Sequence, residues 1–332
     1  MSSRERSKLT SLQTVYHPMS NQEAVWLKDD AEVEALLRQS DFYMIAARQE
    51  AKFLEFSHDG DLRQISFTYA IGDSFRDNVM LDLPELPGIA ANPGEDLWVD
   101  MGEKIVRAWD RPQEEPGAKV LEWFTTEKLI WDRARQRPGL KGFDRYREAS
   151  VYDLLYVGIA KVGDSFDRLI NRGHKARMEI LANEPQRFPG ARVTDETYLF
   201  LFAIDPLTIT TFDFDHDFTV KDFSPEIEPK RIVADAEKAF VSLLQPGYNV
   251  VKFPNYPKSN DGLYGSEFAR YAYYIGEDVT FQTAHGRFRG RRFTSIDALN
   301  EADFIHVQGD TVKLYLSGLD FPSKHESAPP ES

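Results

Sequence analysis

The sequence predicts a mixed α/β (α+β) protein, and three observations point there. Ala24, Val25, Val33, Leu36 and Leu37, and again Ala236, Ala239, Phe240, Leu243 and Leu244, recur at threes, fours and sevens, the spacing of one face of a helix. TYLFLFAI (197–204) is an apolar run of strand length with no polar alternation, as expected of a strand buried on both faces. DVTFQTAHGRFRG and TVKLYLSG near the C-terminal end alternate polar and apolar residues, as half-buried strands do.

In chain order, residues 1–20 and 319–332 are polar and read as disordered tails. Residues 22–40 read as a helix. The stretch from Asp41 to Gly72 reads as short strands, with Asp59-Gly60 as a hairpin turn. LWVDMGEKIVRAW (97–109) and VLEWFTTEKLIWDRAR (120–135) read as helical or partly so. Pro112, Pro116 and RPGLKG (137–142) place a boundary near 138, which makes 21–138 an N-terminal α/β region. FDRYREASVYDLLYVGIA reads as a hairpin, 165–183 as a helix, and 205–232, rich in proline and acid, as an inserted loop or ribbon. Within it Asp213, Asp215, His216 and Asp217 are metal-capable but read better as an acidic ribbon. A helix over 233–245 stops at Pro246, VVKF follows as a short strand, and 261–318 forms a β-rich appendage.

The 332 residues suffice for two domains or one elaborated domain, and 42% hydrophobic content supports a real core. There is no cysteine, which excludes disulfides and thiolate metal sites and suits a reducing cytoplasm. No apolar run reaches membrane-spanning length, and the N-terminal residues lack the apolar core of a leader, so a cytoplasmic protein without membrane contact is expected. A net charge of −14 argues against a protein that coats itself in nucleic acid. The charge is uneven, however. Residues 141–190 hold nine Lys/Arg against seven Asp/Glu, and HGRFRGRRF (285–293) holds four Arg and no acid. Such local basic surfaces bind polyanions in a salt-dependent way.

The residues that suggest chemistry lie far apart. Upstream stands Tyr156-Val157-Gly158, followed by Lys161 and Arg168. Downstream, Glu237 is followed at nine, eleven and twelve residues by Pro246, Tyr248 and Asn249. Taken singly, each has an ordinary explanation: a strand tyrosine, a first-turn glutamate favoured by the helix dipole, a turn asparagine. Together, YVGIAK, the following Arg and the Glu-x8-Pro-x-Tyr-Asn block resemble the GIY-YIG nuclease superfamily, most closely the nuclease domain of UvrC-type excision proteins. The resemblance covers about 142–256, within a domain expected over 139–260.

The resemblance implies a small, mainly antiparallel sheet flanked by helices. It also implies an endonuclease that hydrolyses DNA or RNA phosphodiesters with Mg²⁺ or Mn²⁺, DNA being the expected partner. Glu237 would hold the metal through oxygen, and Arg168 would grip the phosphate with its planar fork. Tyr156 or Tyr146 would activate the water. Tyr146, ten residues before Tyr156, stands for the family's first tyrosine, with Tyr152 as competitor. Lys161 would support phosphate binding or lower a tyrosine pKa, and Asn249 would orient the site. His174 either assists proton transfer or is an exposed helix residue. Arg172 and Lys175 on the helix, and Arg287, Arg289, Arg291 and Arg292 around a turn at Gly290, are the expected nucleic-acid contacts. The alternative is a catalytically degenerate relative that binds nucleic acid or a protein partner.

Overall fold

The computed structural model describes residues 4–61, 63–94, 96–160, 163–171, 173–212, 228–292 and 300–320. The chain opens with β1 (Arg4–Thr14), β2 (Met19–Ser20), α1 (Asn21–Leu27), α2 (Ala31–Leu37) and β3 (Phe42–Ala47). Next come β4 (Ala51–Asp59), β5 (Gln64–Ile71), β6 (Phe75–Asp82), a short α3 (Pro87–Ala90), β7 (Trp98–Met101), β8 (Ile105–Trp109), β9 (Val120–Thr125), α4 (Thr126–Ala134) and β10 (Leu140–Gly142). The chain then runs through α5 (Tyr146–Ala149), β11 (Val151–Ile159), α6 (Lys175–Asn183), α7 (Val193–Glu196), β12 (Thr197–Phe212) and α8 (Pro229–Leu244). It closes with β13 (Phe268–Ile275), β14 (Thr280–Thr283), β15 (Gly286–Arg289), β16 (Phe304–Gln308) and β17 (Thr311–Tyr315).

The α+β expectation holds, and the main sheet is mostly antiparallel, but it is not small. It has ten strands in the order β15-β14-β11-β3-β12-β1-β13-β16-β17, with β2 on β12. Among the described residues only β1–β13 and β11–β14 pair in parallel. β12 is central as its apolar run requires: Thr197–Phe202 are all buried, and it pairs with β3, β2 and β1. The expected boundary near 138 does not divide this sheet, which draws β1, β3 and the C-terminal strands into one array. Instead, residues 51–142 form two smaller sheets, β10-β6-β5-β4 and β7-β8-β9, between two adjacent strands of the main one. Arg48 ties the parts together. Buried, it pairs with Glu127 at 2.5 Å, donates to the Tyr69 hydroxyl, and lies over the Tyr152 and Tyr198 rings.

Several local expectations change. The expected N-terminal tail is the strand β1, which is polar because tertiary partners satisfy it: Arg6 pairs with Glu267, and Lys8 donates to Thr208 Oγ1. The helix expected over 22–40 breaks in two, and Asp30 Oδ1 caps the second half by accepting from the Glu32 and Val33 amides. Residues 97–109 form a hairpin rather than a helix, and 120–135 switches from strand to helix at Thr125, whose hydroxyl caps α4. The hairpin expected before 159 is a helical turn followed by a single strand. VVKF is not a strand, and Val250 is 93% exposed. The turn of the β14–β15 hairpin lies at residues 284–285, not at Gly290. Residues 213–227 and 321–332 lie outside the described residues, and with them the acidic ribbon at 213–217 and nearly all of the second expected tail.

One face of the main sheet is covered by α8, whose Ile232, Val233, Ala236, Ala239 and Phe240 meet Phe42, Val157, Phe200 and Phe202. On the opposite face Tyr43, Ile45, Leu155, Leu199 and Leu201 pack with Val33 and Leu37 of α2 and with Phe166, Leu169 and Ile180.

Candidate active site

β11 and β3 are antiparallel neighbours, and their register builds the site. A bulge at Leu155 shifts the pairing, so that Leu154 faces Ala46 but Tyr156 faces Ile45. One extra residue reverses which side of a strand each following side chain takes. Tyr152 and Leu154 therefore join the α8 side, while Tyr156 and Gly158 turn to the other. Gly158 lies directly opposite Tyr43. A Cβ on Gly158 would sit 2.6 Å from Tyr156 Cε1 and 2.7 Å from both Cζ and Oη of Tyr43. The glycine of the YVG triplet is thus the gap into which two phenols fit. Their rings stack at 6.1 Å between centroids, tilted by 25°.

His174 closes this aromatic group, 5.6 Å from the Tyr43 ring and 5.2 Å from Tyr156. It is buried rather than exposed, and it caps α6: Nδ1 accepts from the Arg177 amide. The helix expected over 165–183 is interrupted here, with a π-helical turn at Asp167–Asn171, Gly173 at φ +74° and α6 beginning at Lys175. An imidazole whose Nδ1 accepts must, when neutral, carry its proton on Nε2. That nitrogen lies 3.0 Å from the Tyr43 hydroxyl, to which it donates. Burial, with Arg168 and Arg177 nearby, lowers the His174 pKa to about 4, so the ring is neutral at pH 7. Tyr43 in turn donates to Tyr156, and Arg168 also donates to Tyr156. Arg168 is fixed by a second bond, Nη1 to the Ile159 carbonyl at 2.7 Å. The loop before it is held by Arg38, which pairs with Asp164 and Asp167.

Tyr156 is therefore the point where two donors converge. Burial still raises its pKa; Arg168 opposes that shift and Glu237 adds to it. Tyr43 is raised further, first by burial and then by Tyr156. Both phenols are protonated at neutral pH.

Glu237 lies within electrostatic reach of both phenols. α8 starts at Pro229, so Glu237 is in mid-helix and the first-turn explanation does not apply. It is half-buried. The helix ends at Gln245, which adopts φ +46° before Pro246. The following turn then docks on the edge of β11 beyond Asp153, where pairing with β14 stops. The Tyr248 amide donates to the Leu155 carbonyl. The Asn249 side chain acts as a missing strand: Oδ1 accepts from Val157 N–H at 2.9 Å, and Nδ2 donates to Val157 C=O at 2.7 Å. Asn249 thus positions the strand that carries Tyr156. The Tyr248 hydroxyl donates to Glu184.

Tyr156, Arg168 and His174 come together, the charge of Glu237 acts on Tyr156, and Asn249 holds the neighbouring Val157. Tyr146 does not join them: its hydroxyl donates to Asp278 at 2.6 Å. Tyr152 points to the α8 side. The tyrosine paired with Tyr156 is Tyr43, which no local spacing links to it because residues 51–142 intervene. The hint was in the text, where Tyr43 lies in an apolar strand after a polar turn. Lys161 and Arg172 lie outside the described residues. Lys175 is exposed and pairs with Glu179 at 3.5 Å. Arg287 is exposed on β15. Arg289 is tied to Asp303 and Arg291 to Glu301 and Asp278, which lessens their charge for a polyanion. The Arg292 amide donates to Asp278.

No family model matches this chain, and neither does any curated protein or solved structure. Among the described residues no three His, Asp or Glu side chains group as metal ligands. A site with one carboxylate suits a hard divalent cation that keeps most of its waters, the usual state of Mg²⁺. No described helix is long and apolar enough to cross a membrane.

Proposed function

We propose that this protein is a Mg²⁺- or Mn²⁺-dependent endonuclease of GIY-YIG type, acting on DNA or RNA. One observation carries the reading: Tyr43 and Tyr156 stack where β3 meets β11, Arg168 is held on the Ile159 carbonyl at the end of β11, and the charge of Glu237, almost two hundred residues from Tyr43, acts on both phenols. Hydrolysis of a phosphodiester needs a water relieved of a proton, a cationic grip on the phosphate, and help for the leaving oxygen. Tyr156 is a phenol at rest, so it first releases its own proton to solvent, a step opposed by burial and favoured by Arg168, and the phenolate, still accepting from Tyr43 and Arg168, then takes the proton of the water. His174 and Tyr43 hold that oxygen in register through a chain of donors. Arg168 presents its remaining N–H groups to the phosphate. Glu237 would hold the cation, which when bound supplies charge neutralisation at the phosphate oxygens and the leaving group. The cysteine-free sequence agrees with a cytoplasmic setting, where such a substrate is met.

The alternative, a binding module without catalysis, draws on the net charge of −14 and on the raised pKa of both phenols. Plasmid, single-stranded DNA and RNA incubated with Mg²⁺ or Mn²⁺ separate the two. Wild type should cleave at least ~100-fold faster than Glu237→Gln, the scale of losing one transition-state contact. Binding by both proteins with cleavage by neither supports the alternative and ends the hydrolase reading.

A further inference from the structure

We propose that a second site, a cleft between α1–α2 and the β8–β9 strands, binds a nucleobase. The cleft measures about 630 Å³, within the ~300–1,000 Å³ typical of small-molecule sites. Trp26 of α1, Trp123 of β9 and Tyr16 provide aromatic surface, and Leu36, Ile105 and Val120 line it with aliphatic carbon. Trp26 is 69% exposed, and Leu36 and Val120 are also exposed, an unusual collection of apolar side chains on one rim.

The polar groups at this cleft specify the ligand. Tyr198 forms part of its lining, is 1% exposed, and its hydroxyl has no hydrogen-bond partner among the described residues. That hydroxyl offers a ligand in the cleft both a donor and an acceptor. The Gln22 carboxamide, the Arg192 guanidinium and the Asp195 carboxylate also line the cleft, with Asp195 in the field of Arg192 and Lys104. Donors and acceptors are therefore both on offer.

Charge excludes the simpler ligands. Lys104 is paired with Glu50, Arg107 with Asp100 and Glu127 with Arg48, while Glu23 accepts from Thr125 and meets His17. That leaves Arg192 with Asp195, Glu32 and Asp30, which caps α2. Such an excess of acid disfavours an anion, and among the described residues no three of these acids group as ligands for a bare cation. A flat ring with donors and acceptors on its edge fits both the aromatic walls and the mixed polar groups, and a nucleobase is that chemistry. The base can come from a free nucleoside or be everted from a strand. This cleft does not depend on the phosphodiesterase reading, since it shares no residue with that site.

The Glu237→Gln protein is titrated with adenosine, guanosine, cytidine and uridine while tryptophan fluorescence is followed. It is then mixed with a duplex carrying 2-aminopurine. Saturable quenching by at least one nucleoside is expected, weakened about 10-fold in Tyr198→Phe and about 10-fold or more in Trp26→Ala. A rise in 2-aminopurine emission that both substitutions abolish assigns the base to a strand, and nucleoside binding without it assigns a free ligand. The proposal is overturned if neither probe gives a signal or if binding is unchanged in both variants. It is also overturned if Trp26→Ala turns a self-associated protein into a monomer, which gives the cleft to a second copy of the chain.

Discussion

Gly158→Ala tests the geometry of the site with a single methyl group. The new carbon would lie 2.6 Å from Tyr156 Cε1 and 2.7 Å from Cζ and Oη of Tyr43. Ordinary carbon contacts are ~3.5–4.0 Å, so the rings must give way by roughly 0.8–1 Å. Tyr43 is fully buried and held by His174, so its ring has nowhere to go without a backbone shift. Overpacking of this kind costs about 1–3 kcal/mol. A misplacement near 1 Å also costs chemistry on the order of 100-fold. Because Gly158 is not in the left-handed region, backbone strain does not contribute, and the clash is the whole effect. Gly247→Ala is the control, since its Cβ would meet nothing within 4 Å; its stability should change by no more than ~0.5 kcal/mol. Urea unfolding of the three proteins gives the stability difference, and plasmid cleavage gives the rate. If Gly158→Ala is as stable and as active as Gly247→Ala, the two phenols do not occupy the gap and the site is wrongly drawn.

Tyr43→Phe should lower cleavage by about 100-fold, whereas Tyr146→Phe, which alters only a bond to Asp278, should leave it within twofold (~) of wild type; equal losses would return Tyr146 to the site. His174 is held to about 4 against its ordinary 6.5. The stability it contributes as a neutral ring is whole above pH ~6.5 and is lost as pH falls towards 4, up to ~3 kcal/mol in all. Thermal melts between pH 7.5 and 4.5 (~) should fall more steeply for wild type than for His174→Asn, which keeps a cap; parallel curves refute this. Asn249→Ala strips partners from both polar groups of Val157, costing about 2–4 kcal/mol, and should speed hydrogen exchange at the Val157 amide; unchanged protection would show that water replaces Asn249.

Local signals were legible. The apolar run of β12, the amphipathic stripe of α8 and the helix stop before Pro246 are written in short windows of sequence. So was the Glu-x8-Pro-x-Tyr-Asn block, because its parts act within one helix and the turn after it. Its physical role became clear only in three dimensions: the turn replaces a strand at the open edge of β11, which ties the end of the helix carrying Glu237 to the strand carrying Tyr156.

Residue type and spacing thus single out Tyr156, Arg168, Glu237 and Asn249 as residues worth placing together, and the elements that carry them. Tertiary structure alone decided that Tyr43 is the partner tyrosine, that the bulge at Leu155 turns Tyr156 to the site face, and that the polar segment at Arg4–Thr14 is an inner strand. The reason is range. Periodicity and turn chemistry act between neighbours a few residues apart, whereas strand pairing joins β3 to β11 across the whole of residues 51–142. Nothing in a short window encodes that register; it follows from which surfaces the completed sheet must bury.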